Sequence, residues 1–277
     1  MSHTDAMTPT IPVVCSITSG KGGVGKTNLA VNLAIQLARL GKRCILLDAD
    51  LGLANVDVLL GLTPERNLGH IFEGMDIDDI LCPSGYGFSI LPATSGGTEL
   101  TALSTGQKLE LLAAMDELED QVDILLVDTG AGVGDTVLYF NVAAQERLLV
   151  LTPEPTSLTD AYALIKVLHL RHGVGRFHVI VNMAASDREA KDVFARLAGA
   201  CDHFLEGVSL DFLGVVPQDA AVRRAVTHQV PVCVHASDSP AAAAVTRIAQ
   251  TMAAWRPQEH ADGNIKFFWK RLLFAGA

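Results

Sequence analysis

The stretch Gly20-Lys21-Gly22-Gly23-Val24-Gly25-Lys26-Thr27 decides the fold. The apolar run before it, residues 13–18, reads as a buried strand. After it, Leu29, Leu33, Leu37 and Leu40 recur at helical spacing up to Gly41. Strand, glycine-rich loop and helix together are the context that the pattern G-x-x-x-x-G-K-[ST] requires. Glycines let the backbone bend close to a polyphosphate, so that successive N–H groups and the helix N-terminus point at its charge. Lys26 is then expected at the β- and γ-phosphates, the Thr27 hydroxyl on Mg²⁺, and Asn28 as the next residue of the contact set. Such a loop implies a doubly wound, mostly parallel α/β sheet with a nucleoside triphosphate at the carboxyl ends of its strands.

Further along, residues 43–48 form a second apolar strand that ends in Asp48-Ala49-Asp50. Acids at a strand end beside a phosphate loop can hold Mg²⁺ or orient an attacking water. Residues 122–127 are a continuous apolar strand closing on Asp128, the Walker B pattern, in which the carboxylate holds the metal through water. Behind it Thr129-Gly130-Ala131-Gly132 reads as a switch loop that can report the γ-phosphate. Ser104 caps an expected helix running to about residue 120, with Leu109, Leu112, Met115 and Leu118 on its inner face. Thr156 is expected to cap another through Leu168. A strand over 177–182 ends on Asn182, whose amide could read an adenine edge or simply form a turn; Pro217 and Asp219 follow the next strand. His169 and His172 have no acidic or thiol company and are read as helix-end residues, not ligands.

Length and composition set bounds. The 277 residues favour one large domain, and 49% apolar residues suffice for its core. The net charge of −10 argues against a DNA-coating surface, so direct nucleic-acid binding is not expected. Five scattered cysteines without a C-x-x-C pair imply reduced, mostly buried thiols and a cytoplasmic setting. Residues 1–12 read as a flexible leader, 13–255 as the nucleotide-binding domain and 256–264 as a polar linker. In the final segment, 265–277, Ile265, Phe268, Trp269, Leu272 and Leu273 share one helical face, with Lys266, Lys270 and Arg271 off it. A basic helix with aromatics suits an anionic membrane surface, while Phe267 and Phe274 leave docking on the parent domain or a partner open.

The loop with its second-position Lys21 resembles the deviant Walker A ATPases, the MinD and ParA relatives. The segment 48–62 resembles the MinD-type switch I region, and 129–132 and 153–166 resemble the flagellar-number regulators of the FlhG, FleN and YlxH group, the likeness covering about residues 13–251. That resemblance implies a slow Mg²⁺-dependent ATPase that dimerises with ATP, Lys21 crossing to the partner's phosphates. It places Asp50 in switch I near the γ-phosphate, with Asp48 supporting the metal. It also implies cycling to the inner face of the cell membrane, and partnership with an FlhF-like GTPase and with switch-ring or transcriptional components. The leader has Asp5-Ala6-Met7 without glutamine, unlike the Asp-Gln-Ala element of many members, which puts GTPase stimulation in doubt. Two other readings stand beside it: a spatial regulator of DNA partitioning or cell division, and an adaptor that binds nucleotide with little turnover.

Overall fold

The structure is a computed structural model that describes residues 12–50, 55–92, 104–256 and 269–270. The glycine-rich loop leaves β1 (Val13–Ser19), whose seven residues are all buried, as expected of a central strand covered on both faces. Around it lie β2 (Cys44–Ala49), β3 (Cys82–Pro83), β4 (Ser89–Pro92), β5 (Ile124–Ala131), β6 (Glu146–Leu151), β7 (Arg176–Ala184) and β8 (Ser209–Pro217), in the order β3-β4-β2-β5-β1-β6-β7-β8. Only β3, a two-residue edge, pairs antiparallel. The chain therefore winds to one side of β1 through β2–β5 and to the other through β6–β8. That reversal opens a crevice at the carboxyl end of β1.

Alternation along the strands divides the core. Val13, Cys15 and Ile17 face one cluster with Leu46, Leu126, Leu148 and Ile180, beneath α1 (Lys26–Arg39) and α10 (Pro240–Ala253). On the opposite face, Val14, Ile45, Leu47, Leu125 and Val127 pack with α4 (Thr105–Glu117). There also Leu149, Leu151, Val179 and Val181 pack with α6 (Pro155–His172) and α7 (Asp187–Phe204). The parallel doubly wound fold is thus as the sequence implies.

Several local expectations shift. The face α4 buries is Leu111 and Met115; Leu109 is exposed, because adjacent leucines blur the helical phase. Ser104 caps α4 as expected, accepting the Gln107 N–H. Thr156 is not the cap of α6. Glu154 holds that position with Pro155 opening the helix, since proline's missing N–H costs nothing at a first helical residue. His169 and His172 lie in the last turn of α6, where Nδ1 of His169 bonds Val174 O at 3.1 Å. All five cysteines are free, and burial raises the thiol pKa values of Cys15 and Cys44.

Candidate functional site

Two glycines shape the loop. At Gly20 a Cβ would fall 2.0 Å from the backbone oxygen of Asp160 in α6, so no side chain fits. Gly25 has φ of 90° and opens α1 without a side-chain cap; a Cβ there would meet Asn182 Nδ2 at 2.5 Å. Gly22, Gly23 and Val24 complete the turn, Gly23 with φ of 78°. Asn182 braces it, donating to Val24 O at 2.8 Å and accepting the Met183 N–H at 2.9 Å. Its amide is thus partly committed to the loop, leaving one N–H for a base.

Inside the loop, Lys26 is 9% exposed and donates to Ser19 Oγ at 3.0 Å, while Ser19 Oγ donates to Lys21 O at 2.7 Å. Burial lowers the Lys26 pKa, with Asp128 and Asp50 pulling the other way. Thr27 hydrogen-bonds the Asp128 carboxylate. Desolvation first, then the charges of Asp48 and Asp50, push Asp128 up to about 7, against the lowering effects of Thr27 and Lys26. Its Oδ1 is buried with no hydrogen-bond partner among the described residues. An orphaned carboxylate oxygen beside a hydroxyl and two further acids is the environment a hard divalent cation relieves.

The remaining acids are not equivalent. Asp50 lies beside Gly130: a Cβ there would sit 3.6 Å from its Oδ1. Gly132 has φ of 93°, and its N–H bonds Ser19 O at 2.9 Å, tying the segment after β5 to the loop strand. Asp48, expected to support the metal, also braces the chain. Its oxygens accept the N–H groups of Asp50 (3.2 Å), Asn55 (3.0 Å) and Val56 (3.1 Å), closing the turn into α2 (Val56–Leu60). Asp219, expected at the nucleotide, is likewise committed. It caps α8 (Ala220–Thr227) through Ala221 N at 2.8 Å, and holds Ala241 N at 3.2 Å. Those backbone N–H groups and a Ser239 hydrogen bond keep its pKa low. An Asp two residues before a helical N–H is a cap signal the sequence already contained.

Lys21 rests on its own chain, donating to Glu154 Oε2 at 2.5 Å and to Thr156 Oγ1 at 3.0 Å. The tail departs furthest from expectation. Trp269, assigned to a membrane-facing side, is fully buried in the cluster that holds Leu111, Met115 and Phe140. Within this chain its indole finds a ready apolar site, and burying so large a ring is strongly favourable. Ile265, Phe268, Leu272 and Leu273, residues 1–11 of the leader and the linker after Arg256 lie outside the described residues. No helix among the described residues is long and apolar enough to cross a membrane.

A left-handed glycine turn between a central parallel strand and a helix, with a lysine inside it and an acid on the neighbouring strand, defines the P-loop class of nucleoside triphosphatases. The family model described as "ParA: NUBPL iron-transfer P-loop NTPase" matches residues 10–253. Antiactivator FleN of Pseudomonas aeruginosa is 49% identical over 261 residues, 94% of this chain and 93% of that protein. The flagellum site-determining protein YlxH of Helicobacter pylori is 32% identical, over 93% of this chain and 88% of its own. The crystal structure of the cell division ATPase MinD of Pyrococcus furiosus superposes with a TM-score of 0.68 at 25% identity, covering 87% of this chain and 98% of that one. The chain belongs to the ParA family of P-loop NTPases, in its MinD-like FleN and YlxH group. It is an ATPase whose cofactors are ATP and Mg²⁺.

Proposed function

We propose that this protein is an ATP-dependent, dimerising switch that regulates flagellar number and placement and cycles between the cytoplasm and the inner face of the cell membrane. The likeness to FleN, together with that to YlxH, a flagellum site-determining protein, supports the flagellar assignment. The observation that carries the switch is the loop itself: Lys26 held in reserve on Ser19, next to the unpartnered oxygen of Asp128.

On this reading the N–H groups of residues 20–27 bind the triphosphate, and Lys26 leaves Ser19 for its terminal oxygens. Thr27 and Asp128 would hold Mg²⁺, which would supply positive charge against the phosphates. Asp50, close to Gly130, orients the attacking water, while Gly130 and Gly132 carry the nucleotide state into the second switch. Asn28, Asn182 and Pro217 border the base. Asp48 and Asp219 act as clamps on the surrounding loops, not as ligands. Lys21 exchanges Glu154 and Thr156 for the phosphates of a second copy. That exchange completes an ATP-bound homodimer, the form that would meet an FlhF-like GTPase, switch-ring or transcriptional components, and an anionic membrane.

Calorimetry with Mg-ATP tests the binding step. Wild type should bind and Lys26→Ala should not, since the substitution removes a charge-assisted hydrogen bond and a packed loop position together. Equal affinity in the two would refute the assignment.

A further inference from the structure

Strand alternation puts Val14, Ser16 and Thr18 on the face of β1 away from α1. A central strand covered on both sides calls for apolar residues there, yet two of the three carry hydroxyls, and both are fully buried. Their partner is Asn141, also fully buried, on α5 (Asp135–Ala143). Ser16 Oγ donates to Asn141 Oδ1 at 2.9 Å. Asn141 Nδ2 donates to Thr18 Oγ1 at 3.0 Å and to Val137 O at 2.8 Å. A carbonyl only accepts, so Val137 O fixes which end of the amide faces which hydroxyl. Directional bonds inside a core select one arrangement where apolar packing admits several. Asn141 therefore sets the height of α5 along β1.

That height matters at the start of the helix. Val137 lies one turn before Asn141, and its Cγ2 would be 3.5 Å from a Cβ at Gly130. Asp50 Oδ1 approaches the same point at 3.6 Å. The chain between β5 and α5 is held to β1 at two further places. Thr129 Oγ1 donates to Ile17 O at 3.0 Å, and the Gly132 N–H to Ser19 O at 2.9 Å. The strand that receives all these bonds is the one that ends in the phosphate loop.

We propose that Asn141 is a positioning residue for ATP hydrolysis, holding Gly130 and Asp50 at their working distance from the phosphate loop without touching the nucleotide. This role rests on the switch reading above, in which Asp50 orients the attacking water. The nucleotide is bound by residues 20–27, so the effect of Asn141 falls on turnover and not on affinity.

Steady-state hydrolysis, Mg-ATP calorimetry and thermal melts test it on two variants: Asn141→Leu, and the same change combined with Ser16→Ala and Thr18→Val. Asn141→Leu leaves two buried hydroxyls without their partner, so it should melt below wild type. Its kcat should fall about tenfold, since a misplacement of about an ångström suffices for that, while KM and ATP affinity stay as in wild type. The triple variant makes the whole network apolar, which is close to neutral for stability. It should regain the melting temperature but not the kcat, because packing alone does not fix the height of α5. Should the single variant fail to fold, the triple variant carries the same kcat test. Unchanged kcat in Asn141→Leu would overturn the role. So would a triple variant that regained both, which would make the network a matter of stability alone. A loss of affinity as large as the loss of kcat would place the defect in the loop and overturn it too. An inactive Asp50→Ala beside a fully active Asn141→Leu would sink this role alone, whereas a fully active Asp50→Ala would sink the switch reading and this role with it.

Discussion

Asp128 concentrates the electrostatics of the site in one carboxyl group. Its folded pKa of about 7 lies above the ordinary value of 3.8, so the folded apo protein holds a proton that the unfolded chain has released. Stability from this group is full below about pH 4, falls as pH rises towards 7, and is lost above it. Asp128→Asn, neutral throughout, should therefore match wild type near pH 4 and melt at a higher temperature at pH 8 in the absence of nucleotide. Thermal melts across that range check this, and a wild-type advantage at pH 8 would contradict it. Since the metal must displace that proton, Mg²⁺-dependent nucleotide affinity should rise up to about pH 7 and then level off. Asp50 should behave differently. Asp50→Ala should keep ATP binding and lose turnover, because it acts on water; normal phosphate release by that variant would exclude the role. At this scale the sequence made the loop legible residue by residue, because each position of the motif has its own chemical duty. It did not separate acids that bind from acids that brace. Asp48, Asp50 and Asp128 all follow apolar runs, and only folding shows that Asp48 accepts three backbone N–H groups.

Among the elements, the parallel strands were readable because continuous apolar runs mark strands covered on both faces. Helices read less well. The clustered leucines 109, 111 and 112 fit several phases, and packing selects Leu111 and Met115. The helix α7 carries many charges, yet Ser186 followed by Glu189 is a start signal that could have marked it, and Ser186 does accept the Glu189 N–H. The helix α5 (Asp135–Ala143) has no side-chain cap, since Gly134 precedes it directly from the switch loop. Asp219 links two elements, α8 and the start of α10. Asp219→Ala should cost about 1–2 kcal/mol of stability by removing a cap and the acceptor of a second backbone N–H, with ATP affinity little changed. Chemical denaturation and calorimetry would separate the two effects. A large affinity loss without a stability loss would return Asp219 to the ligand set.

Over the whole molecule, the tail and the nucleotide site meet the question of the switch. Trp269 fills the second core cluster while Trp255 stacks on His178 at 4.6 Å, so the two indoles report on different faces. Trp269→Ala should cost about 3–5 kcal/mol, the range for truncating a buried tryptophan. The tail's amphipathic spacing was visible in the sequence, but not its partner, because an apolar stripe specifies burial without saying against what. If ATP sends the tail to a membrane, adding anionic vesicles to the Mg-ATP form should shift the Trp269 emission, and deleting 265–277 should abolish co-sedimentation. An unshifted spectrum would keep the tail on its own domain. On the proposed reading ATP converts single chains into a dimer through Lys21, which here rests on Glu154 and Thr156. Light scattering on the slow Asp50→Ala background tests it most directly. In Mg-ATP that variant should have the mass of a dimer, and Asp50→Ala combined with Lys21→Ala should bind ATP yet keep the mass of one chain. A dimer of normal stability without Lys21 would contradict the account.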